Sequence, residues 1–237
     1  MPSLPQYSAV VPAAGIGKRM QAECPKQYLQ IAGKTIIEHT LTNLLAHEQI
    51  KQVVVVLNAN DMSFAQLPIA NHTNIKTVMG GQERSDSVLA GLNYLSEDED
   101  WVLVHDAARP CLAKSDLTAL LQLANQGNVG GILASPVRDT MKRSVGLKTN
   151  QQNVVKYTES RENLWHALTP QFFNCGTLRK ALTEARNKNV EITDEASAIE
   201  YLGEKVILVA GQASNIKITQ PEDLLLAEFY LAQQQAK

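Results

Sequence analysis

Two glycines and three basic residues crowd the front of the chain. "VPAAGIGKRM" runs from Val11 to Met20 and "CPKQYL" from Cys24 to Leu29, so Gly15 and Gly17 sit beside Lys18, Arg19 and Lys26. A glycine-rich turn between a strand and a helix lets backbone N–H groups approach phosphate oxygens with no Cβ in the way. By itself such a turn serves equally as a tight connection without a ligand. Its neighbours narrow the choice. A Walker-type loop is disfavoured: Pro12 stands where the first glycine is needed, and Arg19 follows Gly17-Lys18 in place of a hydroxyl for magnesium. A dinucleotide fingerprint is disfavoured too, because Met20 occupies the third glycine position and Asn58, not an acid, follows the apolar run from Val53 to Leu57. Backbone amides supplemented by this much positive charge suit reaction at a phosphate rather than ground-state binding of a cofactor.

Further along, "WVLVHDAARP" puts Asp106 at the end of an apolar run, where a carboxylate sits either as a metal ligand or as a turn acid capping the next amides. His105 reads as structural, and Arg109, beside Pro110, as a brace for the loop. Lys217 lies between Ile216 and Ile218 in a strand-like stretch and requires a partner there.

These residues must be held by something, and the apolar runs say what. "AVVP" from Ala9, "VVVVL" from Val53, "IKTVM" from Ile75, "WVLVH" from Trp101, "GGILA" from Gly130 and "VILVA" from Val206 are apolar at successive positions, as strands buried on both faces are. Between them come stretches with helical spacing, such as Ile36, Ile37, Thr40, Leu41, Leu44 and Leu45. The alternation predicts an α/β fold with a doubly wound, mostly parallel sheet. Near the end, Thr219 as N-cap with Glu222 three residues later predicts a capped terminal helix. From Val137 to about residue 160 the periodicity lapses; two strand-like pieces, Thr140 to Ser144 and Val154 to Tyr157, predict a protruding β-hairpin arm. An arm of that kind cannot bury its own apolar side, and a second subunit is the usual remedy.

Bulk properties exclude other classes. A chain of 237 residues suits a single domain spanning 1–237, and a net charge of −2 offers no global field for nucleic acid or membrane. Cys24, Cys111 and Cys175 form no C-x-x-C pair and are odd in number, which argues against a disulfide framework or a structural zinc site. No stretch suits a leader or a membrane span, so a soluble protein of the cytoplasm is expected.

"AAGIGKRM" followed by "PKQ" resembles the signature of nucleotidyltransferases that activate sugars and sugar alcohols. With "GGQERSDSV", "VHDAARP", "PVRDTMK", "LWHALTPQ", "ITDEASAIE" and "NIKITQPEDL" in that order, the chain resembles the 2-C-methyl-D-erythritol 4-phosphate cytidylyltransferase family from about Val10 to Tyr230. The resemblance implies a Rossmann-like domain, CTP and 2-C-methyl-D-erythritol 4-phosphate as substrates, Mg2+ or another divalent cation, and a homodimer. It implies catalytic roles for Arg19, Lys26, Arg161 and Lys217. Ala13, Ala14, Gly15, Gly17, Gly81, Gln82 and Ser87 would receive the nucleotide, and Asp106 would hold the metal. Thr140 and Thr169 would join Arg161 and Lys217 around the acceptor phosphate, with Thr140 and Arg161, which flank the arm, completing the neighbouring subunit's site. Gln82 departs from the family's frequent acid, and "GQAS" ahead of Lys217 lacks the acid some relatives carry. A cytidylyltransferase for another polyol phosphate, such as ribitol 5-phosphate, and a CTP-sensing module without turnover are the alternatives; separate acceptor cations argue against the second.

Overall fold

In the computed structural model, residues 4–15, 24–145 and 153–235 are described. The chain opens with β1 (Tyr7–Pro12), a small ribbon of β2 (Gln30–Ile31) and β3 (Lys34–Thr35), and α1 (Ile36–Leu45). β4 (Ile50–Leu57), β5 (Ile75–Met79), α2 (Arg84–Tyr94), β6 (Trp101–Val104), α3 (Lys114–Leu121) and β7 (Gly130–Pro136) follow. Then come β8 (Met141–Ser144), β9 (Val155–Glu159), β10 (Trp165–Asn174), α4 (Cys175–Asn187), α5 (Glu195–Tyr201), β11 (Ile207–Ala210) and α6 (Glu222–Gln235). The main sheet has seven strands in the order β11-β7-β10-β6-β1-β4-β5. Its pairs are parallel except those of β10, which runs against both β6 and β7.

Strand periodicity sorts the core into two layers. Ala9, Val11, Val53, Val55 and Leu103 face α1 and α3, meeting Leu41, Leu44, Leu117 and Leu120. Val10, Val54, Val56, Val102 and Val104 face the other way, onto Val88 and Leu92 of α2, Leu178 and Leu182 of α4 and Ile199 of α5. Because both faces are covered, β4 carries an unbroken run of valines from Val53 to Val56, and β1 and β6 bury Ala9, Val10, Val11, Val102, Leu103 and Val104 at successive positions. A third cluster seats Ala227 and Leu231 of α6 against Ile36, Cys111 and Ile218.

Four expectations need correction. "IKTVM" and "VILVA" are the two edge strands, and both are largely exposed rather than buried on two faces. β10 was not expected as a strand, because His166, Thr169 and Gln171 interrupt its apolar pattern. The stretch around Lys217 is no strand; it is pinned by Ile218 N–H donating to Ala108 O at 2.9 Å. At the start of α6, Thr219 meets Asp223, not Glu222: Asp223 Oδ2 accepts from Thr219 N at 2.8 Å, Thr219 Oγ1 at 3.0 Å and Gln220 N at 2.9 Å. These amide donors outweigh partial burial and hold the Asp223 carboxyl below its ordinary range.

β8 and β9 form an antiparallel ribbon apart from the main sheet, with Met141 opposite Glu159 and Arg143 opposite Tyr157. Residues 146–152 of the expected hairpin lie outside the described residues.

The packing of α2 on the sheet gives a test. A methyl at Gly91 would lie 2.5 Å from Val10 Cγ1 and 3.0 Å from Val56 Cγ2. Alanine improves helix propensity by about 1 kcal/mol, whereas overpacking a filled core costs about 1–3 kcal/mol. The clash wins: Gly91→Ala should lower the thermal midpoint, read by calorimetry, although the same change on an open helix face would raise it.

Candidate active site

Sheet order reverses at β1: the chain leaves it outward to β4 and β5, then returns to add β6 on the other side. Open α/β sheets gather ligands at the carboxyl ends of strands flanking such a reversal. Here those ends supply Ala13, Ala14 and Gly15 after β1 and Asp106 after β6, and both line one cleft. The β5–α2 loop adds Gly81 and Gln82, the first turn of α2 adds Arg84 and Ser87, and Lys26 and Lys217 close the rim.

The loops are tied down locally. Gln27 Nε2 donates to Ala13 O at 2.9 Å and Gly15 O at 3.4 Å, setting the first loop's carbonyls. Ser87 Oγ accepts from Gly81 N at 3.2 Å, and a Cβ on Gly81 would lie 2.3 Å from Asp86 Cβ, so only glycine lets this loop fold so tightly. Lys26 Nζ reaches across to Ile218 O at 2.8 Å, joining the front of the chain to the segment carrying Lys217.

Charge concentrates on Asp106. Arg84 donates to its Oδ1 from Nη2 at 3.1 Å and Nε at 3.3 Å. Lys217 Nζ lies 2.9 Å and Arg109 Nε 3.5 Å from its Oδ2. Burial disfavours a charge on Asp106, but Arg84, then Lys217 and Arg109, outweigh it and hold the carboxyl well below the usual carboxylate range. Arg84 also grips Glu195 on α5, Nη1 to Oε1 at 2.6 Å and Nη2 to Oε2 at 3.1 Å. Burial pushes the Glu195 carboxyl up, against the pull of that guanidinium. Arg109 Nη1 donates to Asn215 O at 2.8 Å, so it braces the loop as expected and faces Asp106 as well. Among the described residues no group of three His, Cys, Asp or Glu forms a metal cluster.

His105 is fully buried, its Nδ1 2.9 Å from Thr169 Oγ1 and its Nε2 3.2 Å from Arg109 O. Burial pushes its pKa down to about 4, so it is neutral at neutral pH and holds the loop rather than moving protons.

The chain matches the family model "IspD: 2-C-methyl-D-erythritol 4-phosphate cytidylyltransferase" over residues 7–233. It belongs to this family. A 2-C-methyl-D-erythritol 4-phosphate cytidylyltransferase of Pseudoalteromonas atlantica is 62% identical over 231 residues, covering 98% of this chain and 97% of that relative. A solved 4-diphosphocytidyl-2C-methyl-D-erythritol synthase superposes with a TM-score of 0.80 at 37% identity, covering 97% of this chain and all of that one. The Francisella tularensis 2-C-methyl-D-erythritol 4-phosphate cytidylyltransferase gives 0.80 at 34% identity, covering 95% and 99%. As a member of the cytidylyltransferase family the chain is a CTP-dependent nucleotidyltransferase acting on methylerythritol phosphate, which decides between the alternatives its residues left open.

Of the residues the resemblance assigns to a cytidylyltransferase site, Ala13, Ala14, Gly15, Lys26, Gly81, Gln82, Ser87, Asp106 and Lys217 share the cleft. Gly17 and Arg19 lie outside the described residues. Thr169 sits beneath: its Oγ1 accepts from Asp106 N at 3.0 Å and contacts His105. Thr140 and Arg161 are exposed and do not line this cleft; Arg161 Nη1 donates to Arg138 O. Arg84, Glu195 and Gln27 escaped sequence reasoning although each lies in a quoted motif.

His105 makes folding sensitive to acid. The unfolded histidine takes up its proton near the ordinary value, the folded one only near 4, so between those values acid favours the unfolded chain. Stability should fall with decreasing pH across that window by about 1.4 kcal/mol per pH unit at its steepest. Denaturant unfolding at pH 7 and pH 5 should show it, and His105→Gln should flatten the dependence by about one proton.

Proposed function

We propose that the cluster of cations around Asp106 performs the transfer of CMP from CTP to 2-C-methyl-D-erythritol 4-phosphate. One observation carries the assignment: Lys26, Arg84 and Lys217 come from three distant parts of the chain and line one cleft at the sheet's reversal point. An oxygen of the acceptor's phosphate bonds to the α-phosphorus of CTP as the bond from that phosphorus to the bridging oxygen breaks. Pyrophosphate departs, and 4-diphosphocytidyl-2-C-methyl-D-erythritol remains. At neutral pH the attacking phosphate is already deprotonated, so no base is needed, in keeping with a neutral, buried His105. The barrier is electrostatic: two polyanions meet, and charge grows on the phosphate oxygens. Fixed donors aimed at that charge cost no reorganisation when it appears.

Arg19 and Lys26 take the triphosphate, and the glycine-rich stretch that holds Gly15 and Gly17 offers it backbone amides. Ala13, Ala14, Gly81, Gln82 and Ser87 receive cytidine, whose 4-amino group is read by backbone carbonyls; a uracil there would leave a buried acceptor unpaired. Asp106 fits a magnesium ligand, being ionised, oxygen-donating and on the cleft wall. Magnesium takes one or two protein carboxylates and fills its other positions with phosphate oxygens and water. When bound, the ion would neutralise part of the charge on those phosphates.

Lys217 and Arg161 hold the acceptor's phosphate, with Thr140 beside Arg161, while Thr169 supports the Asp106 loop from below. The β8–β9 ribbon exposes Val154, Val155 and Tyr157, a surface suited to cover by a second copy of the chain. In the homodimer each ribbon carries Thr140 and Arg161 into the partner's cleft. The cytoplasm is the compartment, consistent with three free cysteines, of which Cys111 and Cys175 are buried.

Pyrophosphate release by purified protein with CTP and magnesium should be fast with methylerythritol phosphate and slow with ribitol 5-phosphate. Lys26→Ala and Arg161→Ala should each cut kcat/KM by about 10²- to 10³-fold, the usual cost of an aimed donor. Mixing the two variants should restore part of the activity, because some mixed dimers keep one intact site; wild-type rates for Arg161→Ala would remove the ribbon from the mechanism.

A further inference from the structure

Glu195 is a buried carboxylate with no part in the reaction as set out above. Its side chain is 1% exposed and does not line the cleft, yet both its oxygens meet Arg84, the residue that reaches Asp106. A two-pronged contact of this kind with a permanently charged guanidinium marks an ionised carboxylate. Holding α5 in place does not require that charge. Asp194 already caps the helix through Ser197 N at 2.9 Å, and Gln171 on β10 grips both flanks of Glu195, donating to Asp194 Oδ2 at 2.9 Å and accepting from Ala196 N at 2.8 Å. Glu195 therefore projects from a fixed backbone onto one edge of Arg84 and leaves its Nε–Nη2 edge for Asp106 Oδ1.

We propose that Glu195 is a positioning residue for cytidylyl transfer. By occupying one edge of the Arg84 guanidinium, it limits Arg84 to a single oxygen of Asp106 and leaves Oδ2 to Lys217, whose ammonium then stays in the cleft to meet the incoming phosphates. Without the Glu195 charge, Arg84 is free to turn its fork onto both oxygens of Asp106 and displace Lys217, since a guanidinium matches a carboxylate best with two parallel bonds. This rests on the reading that Asp106 serves the reaction.

The test is a double-mutant cycle of Glu195→Gln and Asp106→Asn, with kcat and both KM values measured alongside thermal unfolding. Glu195→Gln should lower kcat by about 10- to 100-fold, the usual effect of losing a partner that orients a site ligand. The KM for CTP should stay within about threefold, because the nucleotide's own contacts are untouched. In the Asp106→Asn background the same substitution should cost less than about twofold, the signature of two residues acting as one unit. Equal losses in both backgrounds, or wild-type kcat in Glu195→Gln, would overturn the proposal. If that variant does not fold, Glu195→Asp, which keeps the charge one methylene short of Arg84, should lose kcat likewise, and wild-type kcat there would be equally fatal. Wild-type kcat in Asp106→Asn alone would instead remove Asp106 from the reaction, a separate outcome.

Discussion

A buried carboxylate must be matched by positive charge, and in this chain the matching of Asp106 organises everything around it. Removing such a group from water costs several kcal/mol even after relaxation. Arg84, Arg109 and Lys217 offset that cost at 2.9–3.5 Å. Conversely, three cations crowded around one carboxylate would repel one another and drift apart without Asp106 and Glu195 between them. Each sign holds the other in position. What results is a cleft with a local excess of positive charge in a chain whose net charge is −2, so attraction for polyanions is confined to that cleft.

The sheet is what lets distant residues meet. β10, antiparallel between β6 and β7, carries Thr169 under the Asp106 amide and Gln171 onto both flanks of Glu195. One strand thus fixes the two acids that share Arg84. Its aromatic neighbours hold it in turn: Phe172 stacks on Trp101 at 4.9 Å between ring centres and meets Tyr7 edge-on at 5.0 Å. The packing that stabilises the sheet also sets the distance between Asp106 and Glu195.

How much of this could be read in advance follows from what each segment does. β1, β4 and β6 were legible because strands covered on both faces must be apolar throughout. β5 and β11 carry the same residue types as sheet edges, so the runs revealed strands but not exposure. β10 was illegible for the opposite reason: Thr169 and Gln171 serve the site and break the pattern by which a strand is recognised. Arg84 and Glu195 are 111 positions apart, and spacing cannot announce such a pair. A local sign did exist. Arg84 opens α2, where the helix dipole disfavours a cation, and a residue that breaks a local electrostatic rule is commonly held for function. Thr140 and Arg161 became readable only through resemblance, since an exposed charged ribbon looks alike whether or not it has a task.

The three cations on Asp106 are not equivalent. Arg109 is 9% exposed and also bonded to Asn215 O; Arg84 is shared with Glu195 and half-buried; Lys217 is the most open, at 39%. The order matches their chemistry. A guanidinium is permanently charged and rigid, suited to fixed pairing, whereas an ammonium on a flexible stem changes partner readily. Two arginines therefore hold the Asp106 charge in place, and Lys217, resting on the same carboxylate, is the partner whose contact is the easiest to exchange. Asp106 keeps its charge whichever way Lys217 turns, because both arginines stay, and Glu195 on the other edge of Arg84 keeps that guanidinium from following.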